Sequence, residues 1–221
     1  MTAEELINHA LPALRPTDTV GTALDWMEEF RVSQLPLVEE RIYQGLISEN
    51  ILENTDSDVF MAEIQPDFEH IFANQHQHLL EILSLTQENG LDAIAVLDDN
   101  QAFLGTIAKQ DLIDRFAQQL GSKETGAVLV LAVNERDYSM AEISRLIESN
   151  DTKIISSYFT SVSPEYNYKD VLTLKLNHRD ITKVVATLER FGYTIEAAFA
   201  NDPIASPDQE RLDLLFRYLD I

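Results

Sequence analysis

The chain has 221 residues, enough for two compact units that each bury a core and too few for a large multidomain enzyme. Its 16 Lys plus Arg stand against 38 Asp plus Glu, a net charge of −22 that argues against nucleic acid or an anionic membrane surface as a partner. With 45% hydrophobic and 24% charged residues, this acidity belongs to the surface of a folded protein.

The absence of cysteine excludes disulfides, thiol nucleophiles and thiolate metal sites. The longest apolar run, Ala127 to Val133, is far below bilayer-spanning length. The opening MTAEELINHALPALRP carries Glu4 and Glu5 before any base, unlike a secretory signal, and the chain reads as cytoplasmic.

Charge divides the chain unevenly. Residues 1–121 hold 5 Lys plus Arg against 22 Asp plus Glu, net −17; residues 122–221 hold 11 against 16, net −5. Between them Gly121-Ser122-Lys123-Glu124-Thr125-Gly126 reads as a linker.

In chain order, Val20, Ala23, Leu24, Met27 and Phe30 recur at helical spacing, with Thr17 or Asp18 available as N-cap. Leu35-Pro36-Leu37-Val38 and Ile42 to Ile47 read as two short strands around a polar turn, and Ser48 as the cap of a second helix. The pattern then returns. At an offset of 59 residues Leu79, Ile82 and Leu83 replace Val20, Ala23 and Leu24, and Ile94-Ala95-Val96-Leu97 replaces Leu35 to Val38. One extra turn residue makes the offset 60, so Gly105-Thr106-Ile107 replaces Gly45-Leu46-Ile47, followed by a helix over Gln110 to Gln119. The unit is helix, strand, strand, helix, made twice, with repeats of about 1–60 and 61–121.

Residues 126–200 read as strand, helix, strand, strand, helix, strand: Ala127 to Val133, Ser139 to Ser149, Lys153 to Val162, Val171 to Asn177, Asp180 to Phe191 and Tyr193 to Phe199. Gly192 suits a left-handed helix terminus. Residues 201–221 read as a Pro-bearing linker and a short terminal helix with Leu212, Leu215, Phe216 and Leu219 on one stripe. The fold class is therefore α/β (α+β), in two units.

The duplicated segments, with Gly45-Leu46-Ile47-Ser48 and Gly105-Thr106-Ile107 in register, resemble a tandem pair of CBS domains, the Bateman module. The βαββαβ order of the second unit resembles a ferredoxin-like ACT-type domain, and the whole order is similar to that of acetoin-utilisation regulatory proteins. The resemblance implies a small, non-enzymatic, cytoplasmic regulator, a homodimer, that senses AMP, ADP or ATP (the last with Mg²⁺) for a partner protein. A structural adaptor with vestigial pockets, working through dimerisation and partner recognition, is the competing reading. An enzyme is disfavoured by the lack of a Walker-type loop, a Gly-x-Ser-x-Gly elbow or a zinc-protease motif.

In CBS pairs a Gly-h-h-Ser/Thr-x-x-Asp pattern holds the nucleotide, the hydroxyl meeting phosphate and the carboxylate accepting from the ribose hydroxyls. Here the first copy keeps Ser48 but has Ile51 where the carboxylate belongs; the second keeps Asp111 but has Ala108 where the hydroxyl belongs. The resemblance therefore points to the second-copy pocket, with Asp111 on ribose, Lys109 near phosphate and the strand from Ala93 through Ile94 to Val96 beside the base. A plain structural role fits the same residues: Asp111 as a first-turn helix carboxylate and Lys109 as a solvated base. In the second unit, Tyr138 stands where ACT-type domains usually have a Gly that admits an amino acid, which argues for a sheet used in packing or pairing. His70, His76 and His78 are close in sequence, and His76 with His78 would share a strand face as metal ligands do, but no third ligand completes a set.

Overall fold

The computed structural model describes residues 1–133, 138–161 and 170–200. Contacts divide the chain into two units, Met1–Phe116 and Ala117–Ile221. The stripe from Leu212 to Leu219, and the linker before it, lie outside the described residues.

The first unit contains α1 (Val20–Phe30), β1 (Gln34–Glu39), β2 (Ile42–Ser48) and α2 (Glu49–Leu52), then β3 (Ala73–Asn74), α3 (Leu79–Glu88), β4 (Ala93–Leu97), β5 (Phe103–Ala108) and α4 (Lys109–Gln119). β1 and β2 form one antiparallel sheet; β3, β4 and β5 form another, with β4 central. The sequence pattern accounts for the helices. Val20, Ala23 and Met27 give α1 its buried face, and Leu79 and Ile82 do the same for α3.

The helix starts differ from expectation. The N-cap of α1 is Thr19, whose hydroxyl accepts from Thr22 N at 3.3 Å, because the Asp18 carboxylate is already occupied by Arg15 N at 2.7 Å. At the equivalent position, 59 residues on, His78 caps α3: its Nδ1 accepts from Leu80 N, and Glu81 accepts in return from His78 N at 2.9 Å. His76 lies instead 3.5 Å from Asp99. The two rings thus serve a turn and a cap, not a shared strand face, and among the described residues no cluster of three or more His, Asp or Glu is placed to hold a metal.

The repeats are interwoven by two straps. Residues 2–8, ahead of α1, pack on the second repeat: Ala3 N donates to Gln77 O at 2.9 Å, Glu4 N to Gln75 O at 3.1 Å and Asn8 N to Thr106 O at 2.9 Å. Residues 61–67, ahead of β3, pack on the first, with Met61 N to Asp18 O at 2.8 Å, Ala62 N to Pro16 O at 3.0 Å and Asp67 N to Leu46 O at 2.9 Å. Each set maps onto the other at an offset of 58 to 60 residues. The cores follow the same exchange. Ala3 and Leu6 are buried with Ala73, Leu79, Ile82, Ile94 and Ile107, whereas Met61 is buried with Val20, Ala23, Leu35 and Ile47.

This crossing explains the repeated glycine. A Cβ on Gly105 would strike Ile7 Cγ2, and a Cβ on Gly45 would strike Pro66 Cβ, so both strands need a bare backbone where a strap passes.

The second unit contains β6 (Val128–Ala132), α5 (Met140–Glu148), β7 (Ile154–Thr160), β8 (Val171–Leu176), α6 (Thr182–Arg190) and β9 (Thr194–Phe199), a ferredoxin-like βαββαβ order. The sheet runs β7-β8-β6-β9 and is antiparallel throughout. Leu129 and Leu131 of β6 and Leu172, Leu174 and Leu176 of β8 share one core with Ile143 and Ile147 of α5 and Val184 and Leu188 of α6, so both helices cover one face. Tyr138 stacks on Phe159 of β7, ring centroids 5.7 Å apart and planes 7° apart, filling the place where a bare backbone would have left room. No helix among the described residues is long and apolar enough to cross a membrane.

Candidate functional site

The start of α4 sets the candidate site. Its first turn projects Asp111, and Arg115 follows one turn later on the same side of the helix. Both line a cleft of about 250 Å³ whose opposite wall is the first strap: Glu5, Leu6, Ile7, Asn8 and His9.

Within it, Asn8 Nδ2 donates to Asp111 Oδ2 at 2.8 Å. Asn8 is itself held at two further points. Its backbone N donates to Thr106 O at 2.9 Å, and its Oδ1 accepts from Ala10 N at 3.0 Å. The carboxylate of Asp111 is therefore oriented by a side chain that has little freedom, and among the described residues its other oxygen accepts no hydrogen bond. Arg115 is exposed at the rim and, among the described residues, forms no ion pair within 4.0 Å.

The repeat-related position is built oppositely. Asp67 is the counterpart of Asn8 and Ser48 the counterpart of Ala108. Here the Ser48 hydroxyl donates to Asp67 Oδ2. Ser48 occupies the N-cap position of α2 but its side chain makes no capping bond and is turned to Asp67 instead. A phosphate seeking that hydroxyl would meet a carboxylate first.

The structure places the remaining expected site residues elsewhere. Lys109 Nζ donates to Asp92 Oδ1 at 2.6 Å and is not part of the Asp111 cleft wall. Asp92 also accepts from Ser33 Oγ at 2.8 Å, while its own backbone N donates to Gln34 Oε1 at 2.9 Å. Burial pushes the Asp92 carboxyl up, but the hydrogen bonds from Lys109 and Ser33 outweigh it and hold the group below the ordinary carboxylate range. The strongest cation of the expected site is thus spent inside the protein.

Ala93, Ile94 and Val96 are fully buried on β4. Ile94 and Val96 belong to the core around α3, and Ala93 to the core around α1. None lines the cleft, because the strand is central and flanked on both sides in its sheet.

Two larger hollows, of about 470 and 530 Å³, occur on the same unit. One is walled by Asp25, Glu28 and Glu49 with Arg31; the other mixes Arg15 and Arg41 with Glu39 and Glu40. Size alone does not select between them. The Asp111 cleft is singled out by its pinned carboxylate acceptor, since the arginines of all three hollows are without an ion pair among the described residues.

Sequence reading did not find Asn8, Asp67 or Arg115. The signal was present, since the offset that relates Val20 to Leu79 also relates Asn8 to Asp67. It was hidden because the straps have no hydrophobic periodicity of their own.

The family model for the CBS domain matches residues 62–118, a stretch that contains Asp111. The chain is 23% identical over 143 residues to an inosine-5′-monophosphate dehydrogenase of Methanocaldococcus jannaschii, covering 63% of this chain and 29% of that enzyme. It therefore spans under a third of the length of that relative. Among solved structures, a CBS domain pair/ACT domain protein of Thermotoga maritima matches at 16% identity over 54% of this chain and 99% of the other, with a TM-score of 0.49. CBSX2 in complex with AMP matches at 17% identity over 53% of this chain and 96% of the other, with a TM-score of 0.44.

Proposed function

We propose that the protein is a non-catalytic regulatory module that takes an adenosine nucleotide in the cleft around Asp111. The observation that carries this reading is the Asp111 carboxylate, held by Asn8 with one oxygen free among the described residues and with Arg115 one turn away. In this arrangement Asp111 accepts from the ribose hydroxyls and Arg115 faces the phosphate end, the pairing of a carboxylate with a diol and of a guanidinium with an anion. The CBS match over this stretch supports the same assignment.

Charge sets the form of the ligand. The first unit carries net −17, so one guanidinium does not offset a triphosphate, and ATP or ADP binds better with Mg²⁺ than without it. The repeat-related position at Ser48, with Asp67 on its hydroxyl, disfavours anionic ligands.

The assembly we propose is a homodimer joined in the second unit. Among the described residues β7 and β9 are the edges of the sheet, and they expose Ile155, Tyr158 and Phe199. Light scattering across micromolar concentrations checks this, and a constant mass of 25.0 kDa would refute it.

Calorimetry with AMP, ADP and ATP, with and without Mg²⁺, tests the ligand. The wild type gives one binding event per chain and Asp111→Ala weakens it at least tenfold, the loss of a charge-assisted hydrogen bond. No heat with any of the three nucleotides rejects the sensing role and leaves an adaptor that works through its surfaces.

A further inference from the structure

The two straps cross equivalent places in the two repeats, yet they carry different chemistry at one position. Asn8 presents an amide N–H to an acid; Asp67 presents a carboxylate to a hydroxyl. The backbone contacts at that position are matched. Asn8 N and Asp67 N donate to Thr106 O and Leu46 O, both at 2.9 Å, and Ile7 and Pro66 press on Gly105 and Gly45. The backbone frame is shared, so the difference between the two positions lies in side-chain polarity.

From this we infer that the strap residue at positions 8 and 67 decides which of the two repeat-related positions accepts a phosphorylated ribose: Asn8 licenses the Asp111 cleft and Asp67 blocks the equivalent position at Ser48. Asn8 is a positioning residue. It fixes the plane of the Asp111 carboxylate through Nδ2 while its own Oδ1 is tied to Ala10 N and its backbone to Thr106 O, so the acceptor is oriented before a ligand arrives. An amide at this place adds no charge. A carboxylate there, as in the other strap, would set two anions against each other across the 2.8 Å now spanned by a hydrogen bond. At Ser48 the same carboxylate consumes the one hydroxyl donor of the motif and repels phosphate.

The inference rests on the nucleotide reading above, and the test separates the two. Calorimetry with Mg²⁺-ATP and Mg²⁺-2′-deoxy-ATP is run on the full chain as wild type, Asn8→Ser, Asn8→Asp and Asp67→Asn, with thermal unfolding of each. Asn8→Ser keeps a short acceptor for the Ala10 turn but is too short to reach Asp111, so a fold defect is distinguished from a loss of orientation. The wild type should prefer the ribonucleotide by about tenfold or more. Asn8→Ser should lower that preference several-fold while ATP still binds. Asn8→Asp should abolish binding in a chain that still unfolds cooperatively, at a somewhat lower temperature because two carboxylates then face each other. Asp67→Asn should leave the first event as it is and add a second, weaker one with little ribose preference, since Ile51 provides no carboxylate there.

A wild type that binds neither nucleotide defeats the nucleotide reading and the inference with it. A wild type that binds and discriminates, beside an Asn8→Ser variant with the same preference and an Asn8→Asp variant with the same affinity, overturns the inference alone. A single event in Asp67→Asn, unchanged from wild type, overturns the half that concerns Asp67.

Discussion

Ser33 Oγ donates to Asp92 Oδ2 at 2.8 Å, and the two residues are counterparts in the duplication, 59 positions apart. Equivalent residues of two copies touch only where the copies face each other about their common relation. The duplication has broken its own symmetry here, one copy supplying the donor and the other the acceptor. Lys109 Nζ at 2.6 Å and the Gln34 amide complete the network. The hairpin tips meet in the same way, with Phe103 N donating to Arg41 O at 2.8 Å and Ile42 bridging Ala102.

Removing one partner from this junction leaves the others unpaired. Asp92→Ala is expected to destabilise the first unit by roughly 1–2 kcal/mol, discounted for a side chain one-third exposed. A double-mutant cycle with Ser33→Ala, read by denaturant unfolding, should show coupling of about 0.5 kcal/mol or more. Additive effects would show that the contact is incidental.

The same carboxylate gives an acid dependence of known sign. Its folded pKa is lowered, so the unfolded chain binds the proton more readily, and the stability it contributes is present above the unfolded value of about 3.9 and fades as pH falls through the folded value. The stability gap between wild type and Asp92→Asn should be constant from pH 7 to 5 and should narrow below about pH 4. A gap that grows as acid is added would reverse the argument.

Much of this was legible in the sequence. The periodicity of Val20 to Phe30 and Leu79 to Leu83 and the alternation in β6 and β8 each depend on neighbours within a few residues, and local physics fixes them. What was not legible depends on pairs far apart in the chain. Lys109 read as a free cation because nothing local shows that Asp92, 17 residues earlier, reaches its ammonium. Ala93 to Val96 read as a ligand wall because a short apolar run does not reveal that it is the central strand of its sheet. The straps escaped for a further reason. Residues 2–8 adjoin the first repeat in sequence but pack on the second, so contiguity misleads.

A buried flaw gives a stabilising prediction. Thr106 is 1% exposed and its hydroxyl finds no hydrogen-bond partner. Its counterpart is Leu46, fully buried, so the fold accepts an apolar side chain there. Thr106→Val keeps the shape and removes the unmet hydroxyl, and should raise stability by about 1 kcal/mol. Its backbone carbonyl still accepts from Asn8 N, so nucleotide affinity should not change. A lower unfolding midpoint would mean that the hydroxyl has a partner after all.

Gly105 links the fold to the site. A methyl group there would collide with Ile7 Cγ2, one residue before Asn8 in the strap that orients Asp111. The backbone at Gly105 is not in the left-handed region, so the penalty for Gly105→Ala is collision alone, and the strap rather than the strand must give way. Overpacking of this kind costs about 1–3 kcal/mol. Displacing Ile7 pulls on Asn8, so the variant should lose ribose preference as well as stability, and the two losses should have one cause. Ile7→Ala on the same background makes room for the added methyl and should restore both. Recovery of stability without recovery of ribose preference would show that the strap does not carry the orientation of Asp111.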